Sequence, residues 1–226
     1  MNTLDGKEQS LANQCYEKLQ EHILNGTFAP GQKLKVDALK QEFDIGHSPI
    51  REALSRLVSS GLVESRDNKG FRVAQVSEAD IYDVYQTFFH IELLALTQAI
   101  QHGDDAWESR VVAALHHLAL IETKKEPVEY QVWAERNYAF HVALISGCNS
   151  PLLMQIRADV YLRFDRYCRI AFHTGRQDLA LNHAEHKELA ETVLSRDLKK
   201  TEKLIHYHIF GAQETVLHTL KKNNFI

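Results

Sequence analysis

A chain of 226 residues that is 44% hydrophobic and 25% charged, with a net charge of −4, excludes the fibrous and disordered classes and has room for a small folded unit plus a larger one. The N-terminus lacks a basic stretch followed by an apolar run, and no apolar stretch approaches the ~18 residues of a membrane span, so a cytoplasmic chain is expected. Cys15, Cys148 and Cys168 are far apart and free of CxxC spacing, which suits reducing surroundings better than a disulfide framework or a thiolate zinc site.

Taken in order, Leu11, Cys15, Leu19, Ile23 and Leu24 recur at helical spacing until Asn25-Gly26 ends the run. Pro30-Gly31 closes a turn, and a short helix over 36–43 puts Leu39 and Phe43 on one face. Ile45-Gly46-His47 then breaks the chain. Ser48 is placed to cap a second helix and Pro49 suits its first turn, which predicts a helix over 49–60 stopped by Gly61. Two short strands follow over 62–65 and 71–74, joined through Arg66-Asp67-Asn68-Lys69-Gly70. The pattern is a helix-turn-helix followed by a wing, a DNA-reading arrangement. Residues 1–76 carry ten Lys or Arg against ten Asp or Glu, so any positive face must be local. Its candidates are Lys33, Lys35, Arg51, Arg56, Lys69 and Arg72, and binding through so few cations should be steeply salt-sensitive.

Ser77 and Asp80 resemble a helix opening, which sets a boundary near Val76. Six helical segments follow, over 78–101, 105–124, 127–146, 150–173, 178–195 and 198–221. Gly103-Asp104, Lys124-Lys125-Glu126-Pro127, Gly147 with Asn149-Ser150-Pro151, Thr174-Gly175 and Asp197 punctuate them. The expected fold is mainly α: a winged helix-turn-helix over 1–76, then an all-helical antiparallel bundle of about six helices over 77–226.

Eleven of the thirteen histidines lie after residue 76. Trp133, Asn137, Phe140, His141 and Leu144 form one stripe, placing Asn137 and His141 one turn apart and inward. His186 shares a stripe with Asn182, Leu189, Ala190 and Val193. His208 lies among Ile205, Ile209 and Ala212, whereas His206 points with Lys199, Lys203 and Gln213 toward water. His186 and His208 stand about eleven residues either side of Asp197, so a constant rise of ~1.5 Å per residue brings them level across a hairpin. Three imidazoles and a side-chain oxygen converging in a bundle suit a divalent ion, zinc first, with nickel, iron, manganese or copper as alternatives. Hydrogen-bonded core histidines are the competing reading. An open metal position would also allow a metal-dependent enzyme using the Asn/His3 site, but no glutamate is evident as a general base and there is no HExxH.

These residues resemble the GntR family of bacterial transcription regulators, and within it the FadR subfamily with its helical FCD effector domain. The likeness rests on Ile45-Gly46-His47-Ser48-Pro49-Ile50-Arg51-Glu52-Ala53-Leu54, Arg56-Leu57, Gly61-Leu62-Val63 and Lys69-Gly70 in the first unit. In the second it rests on Asn137-x-x-Phe140-His141, Glu185-His186-x-x-Leu189, Arg196-Asp197 and His208-Ile209. The resemblance implies that His47, Ser48 and Arg51 meet bases or phosphates, with Gly70 at the wing tip. It also implies metal ligands at Asn137, His141, His186 and His208, and a homodimer acting, most simply as a repressor, on a two-fold symmetric double-stranded DNA operator. Gly103–Glu108, Trp133, Gly147–Ser150 and Lys69–Val73 look like the branch that represses glutarate and 4-aminobutyrate catabolism. That implies a small carboxylate effector, a dicarboxylate such as glutarate, and Arg163 on a stripe with Ile156, Val160 and Tyr167 is a candidate contact for it. Departures are visible: His47 stands for a usual arginine, Gly46 for a serine, Asn137 for an aspartate, and Phe88 for an arginine often found before Glu92.

Overall fold

The computed structural model describes residues 10–66, 70–124, 126, 128–174 and 179–226; Asp67, Asn68, Lys69, Lys125, Pro127 and Gly175, and so the expected DNA contact of Lys69, lie outside them. The chain divides into two compact units, Met1–Ser77 and Glu78–Ile226.

The first unit runs α1 (Leu11–Leu24), β1 (Lys33–Leu34), α2 (Val36–Phe43), α3 (His47–Ser59), β2 (Val63–Arg66) and β3 (Gly70–Val73). Ser10 caps α1 by accepting the Asn13 N–H, and the apolar stripe buries Cys15, Leu19, Ile23 and Leu24. That stripe packs on α3, whose Ile50, Ala53, Leu54 and Leu57 are fully buried. Each such leucine contributes roughly 1.5–3 kcal/mol by leaving water. Gly61 ends α3 with φ +73°, a conformation costly for a residue with a Cβ. The chain then reverses, with Leu62 N–H donating to Leu57 O at 3.0 Å.

Two sequence expectations shift here. The second helix starts at His47 with extended Gly46 as its cap and no side-chain capping bond. Ser48 therefore sits exposed inside the first turn, where Pro49 still lacks only an amide that would be unpaired anyway. The wing has a third strand, β1, too short to show alternation. It pairs antiparallel with β3 through Lys33↔Arg72 and Leu34↔Phe71, giving the order β1-β3-β2.

Among the described residues the second unit is helical throughout: α4 (Glu78–His102), α5 (Asp105–Glu122), α6 (Tyr130–Ile145), α7 (Pro151–Thr174), α8 (Leu179–Leu194) and α9 (Leu198–Lys222). Asp104 caps α5 by accepting the Trp107 N–H at 2.8 Å. Trp107 is fully buried and donates Nε1–H to the carbonyls of Ala143 and Leu144, which fixes α5 against α6. Asp197 caps α9 in the same way through Lys200 N–H. The ion pair Lys200–Glu188 near that turn and His208–Glu185 farther from it set α8 and α9 antiparallel. No helix among the described residues is long and apolar enough to cross a membrane.

Candidate functional site

Lys33, Lys35, Arg51 and Gly70 are exposed and line one shallow concavity together with Phe71, where the entry of α3 meets the wing. Among the described residues Arg51 has no hydrogen-bond or ion-pair partner, which leaves its guanidinium available to an external anion. His47 Nε2 lies 2.9 Å from Asp37 Oδ1 on the same surface. Two further expected DNA contacts, Arg56 and Arg72, also bind within the fold. Arg56 donates to Asn13 Oδ1 at 2.6 Å and lies over the Tyr16 ring at 4.2 Å, joining α3 to α1. Arg72 donates to the Gly31 carbonyl at 3.0 Å, bracing the wing.

In the second unit His141 from α6, His186 from α8 and His208 from α9 meet. Their ring centroids are 5.6 Å (141–186), 5.2 Å (141–208) and 4.9 Å (186–208) apart. One nitrogen from each ring lies within 4.8 Å of the other two, a spacing suited to a shared metal ion. Three glutamates from other positions stand behind the rings. His186 Nδ1 is 3.0 Å from Glu122 Oε1 on α5, His208 Nδ1 is 2.8 Å from Glu185 Oε2, and His141 Nδ1 is 3.9 Å from Glu92 Oε1 on α4. At His186 and His208 the carboxylate within hydrogen-bond distance of Nδ1 fixes the tautomer so that Nε2 carries the free lone pair.

The donor set fits a divalent ion on that ground and on a second. His186 Nε2 and Asn137 Oδ1 are buried with no hydrogen-bond partner among the described residues, and both residues line the cavity. Buried polar atoms left unpaired cost free energy, so they mark a place for an absent group. Burial, with the neighbouring His208 and His186 adding to it, holds His141 well below the ordinary histidine range, and burial lowers His186 against the pull of Glu122. Neutral imidazoles are the form that binds metal. The hydrogen bond from His208 holds the Glu185 carboxyl below its usual range.

Beside the histidines opens a cavity of about 410 Å³. Phe88, Tyr161 and Phe164 give it aromatic walls, and Tyr130 and Asp165, hydrogen-bonded to each other, line it as well. Arg163 is absent from the lining. Two arginines of α7 are buried, Arg157 and Arg166; Arg157, 1% exposed, donates from Nε and Nη2 to both oxygens of Glu92 at 2.8 and 3.3 Å. Burial alone would lower the Arg157 pKa; Glu92 outweighs it and the net shift is upward.

Residues 11–73 match the bacterial regulatory proteins of the gntR family, and residues 83–211 match the FCD domain. The HTH-type transcriptional regulator BphR of Paraburkholderia xenovorans (strain LB400) is 34% identical over 204 residues, spanning 89% of this chain and 83% of that relative. The HTH-type transcriptional repressor GlaR of Escherichia coli (strain K12) is 33% identical, spanning 86% of this chain and 90% of that relative. The fold superimposes on E. coli McbR/YncC with a TM-score of 0.76 at 18% identity, covering 95% of this chain and 99% of that one.

The chain is a GntR-family transcription regulator with an FCD domain. DNA binding follows from its first unit, and the metalloenzyme alternative is set aside because the relatives are named as regulators. Sequence reasoning for this GntR regulator missed Glu122, Glu92 and Arg157. Three glutamates stand near the histidines, each turned to an imidazole nitrogen rather than placed as an evident general base. Only Glu185, adjacent to His186 in sequence, gave a signal. Gln213, grouped with His206 toward water, is buried.

Proposed function

We propose that this protein is a metabolite-responsive repressor, a cytoplasmic homodimer that grips a two-fold DNA operator and is controlled by a carboxylate bound beside a divalent ion in its helical domain. Residues 1–76 supply the DNA contacts, with Arg51, Lys33, Lys35, His47, Ser48 and Gly70 facing the duplex, and residues 77–226 supply effector binding and dimerisation. His141, His186, His208 and Asn137 would hold the ion, zinc first. When bound, such an ion is a Lewis acid that attracts a carboxylate oxygen.

The observation that carries this reading is the convergence of three imidazoles, each with a carboxylate nearby, at the wall of a cavity. A core held only by hydrogen bonds has no use for the unpaired His186 Nε2. A ligand there changes DNA binding only if it favours one dimer arrangement over the other. The test is to select genomic fragments with the purified protein, then measure retention of the selected DNA by metal-loaded and chelator-stripped protein across small carboxylates. Retention that ignores both metal and every carboxylate overturns the regulatory reading of the cavity.

A further inference from the structure

Resting on the reading that a carboxylate effector fills this cavity, we propose that the effector is an amino carboxylate, its carboxylate at the histidine end and a protonated amine beside Asp165.

The charged side chains lining the cavity are Glu92, Asp165, Glu185 and Glu214; among the described residues no lysine or arginine lines it. Arg157 and Arg169 stand behind the lining, paired with Glu92 and with Asp165 Oδ2, the latter at 2.6 Å. The charged groups in the lining are therefore carboxylates alone, and the two arginines paired with them lie outside it. A carboxylate is drawn into it only where a divalent ion adds positive charge, at His141, His186 and His208. The unpartnered His186 Nε2, fully buried in the wall, marks that end as built for an occupant.

The far end has the opposite chemistry. Tyr130 donates its hydroxyl to Asp165 Oδ1 at 3.3 Å, and it precedes His141 on α6 by about 16 Å at ~1.5 Å rise per residue. A second carboxylate placed there would meet the Asp165 carboxylate and no cation in the lining, Arg169 being committed to Asp165 Oδ2. An ammonium meets carboxylate lone pairs that remain open, together with the aromatic side chains of Tyr161 and Phe164, which attract cations. The dicarboxylate implied by sequence resemblance loses its counter-ion here, since Arg163 does not reach the lining.

The experiment is calorimetric titration of the zinc-loaded full chain with 5-aminovalerate, glutarate and valerate, which share five carbons and differ at one end. The amino acid is expected to bind at least tenfold more tightly than the other two. Asp165→Asn should erase that advantage and leave valerate unchanged, whereas Tyr130→Phe, which keeps the carboxylate, should preserve it. The wild-type ranking alone decides the matter if Asp165→Asn does not fold. Glutarate binding as tightly as 5-aminovalerate overturns the amine assignment while leaving the carboxylate reading intact. No binding by any of the three, or equal binding by the metal-stripped chain, overturns both.

Discussion

Glu122 and His186 are locked together in the core of the helical unit: Glu122 is 2% exposed, and its Oε1 lies 3.0 Å from His186 Nδ1 and accepts the Trp133 Nε1–H at 3.0 Å. No lysine or arginine among the described residues pairs with this carboxylate, so its charge is placed on the imidazole. On the proposed ligand set, that carboxylate stands in for the negative charge that Asn137 lacks relative to the family's common aspartate. Glu122→Gln keeps the shape and removes the charge. Divalent metal affinity is expected to fall about 10- to 100-fold, read by competition against a chromophoric chelator. Unchanged affinity would reduce Glu122 to a packing role.

Arg51→Ala is expected to weaken operator binding at least about tenfold, the scale of one lost base contact at about 1–3 kcal/mol. Arg56→Ala should act differently, because that side chain bridges α3 to Asn13 and Tyr16. It should lower the thermal midpoint of the first unit and affect DNA retention mainly through that loss. Fluorescence anisotropy at physiological salt, paired with thermal melts, separates the two. Equal loss of stability in both variants removes the distinction.

The histidine cluster was legible because helix rise is constant: counting from Asp197 places His186 and His208 level, and their rings lie 4.9 Å apart. Helix boundaries were legible from Gly103-Asp104, Ser150-Pro151 and Asp197, which cap or stop helices for local reasons. Glu122 was not legible, since it ends α5 and its partners are distant in sequence. The face of α7 was misread at its start: the stripe of Ile156, Val160, Arg163 and Tyr167 does bury Tyr167, but Ile156 is 42% exposed while Arg157, one residue along, is 1% exposed.

Cys168 carries a pH dependence that can be signed. Burial pushes its thiol up to about 12, while the Tyr85 hydroxyl 3.4 Å away pulls against it. An unfolded cysteine titrates near 8.5. Because the folded value is the higher, the thiol's contribution to stability is complete below about pH 8.5 and is lost as pH climbs toward the folded value. The thermal midpoint of wild type should therefore fall more steeply between about pH 8.5 and 10.5 than that of Cys168→Ala. Parallel curves would show that the thiol is not protected.

Asn137→Asp gives the sharpest test of the proposed ligand set. Asn137 Oδ1 is buried without a partner, and an aspartate there adds a charged oxygen where a neutral amide stood. Affinity for a divalent ion rises with ligand charge, so about a tenfold gain or more is expected. The same change should lower the melting temperature of the chelator-stripped chain, because a buried carboxylate without its ion is uncompensated. A core of hydrogen-bonded histidines predicts the second effect without the first. His208→Ala should abolish binding, and His206→Ala, an exposed ring packed on Phe89 and Phe210, should leave it unchanged. Metal content after gentle purification, measured on wild type and these three variants, decides it: equal metal in wild type and His208→Ala means that the cluster holds no ion.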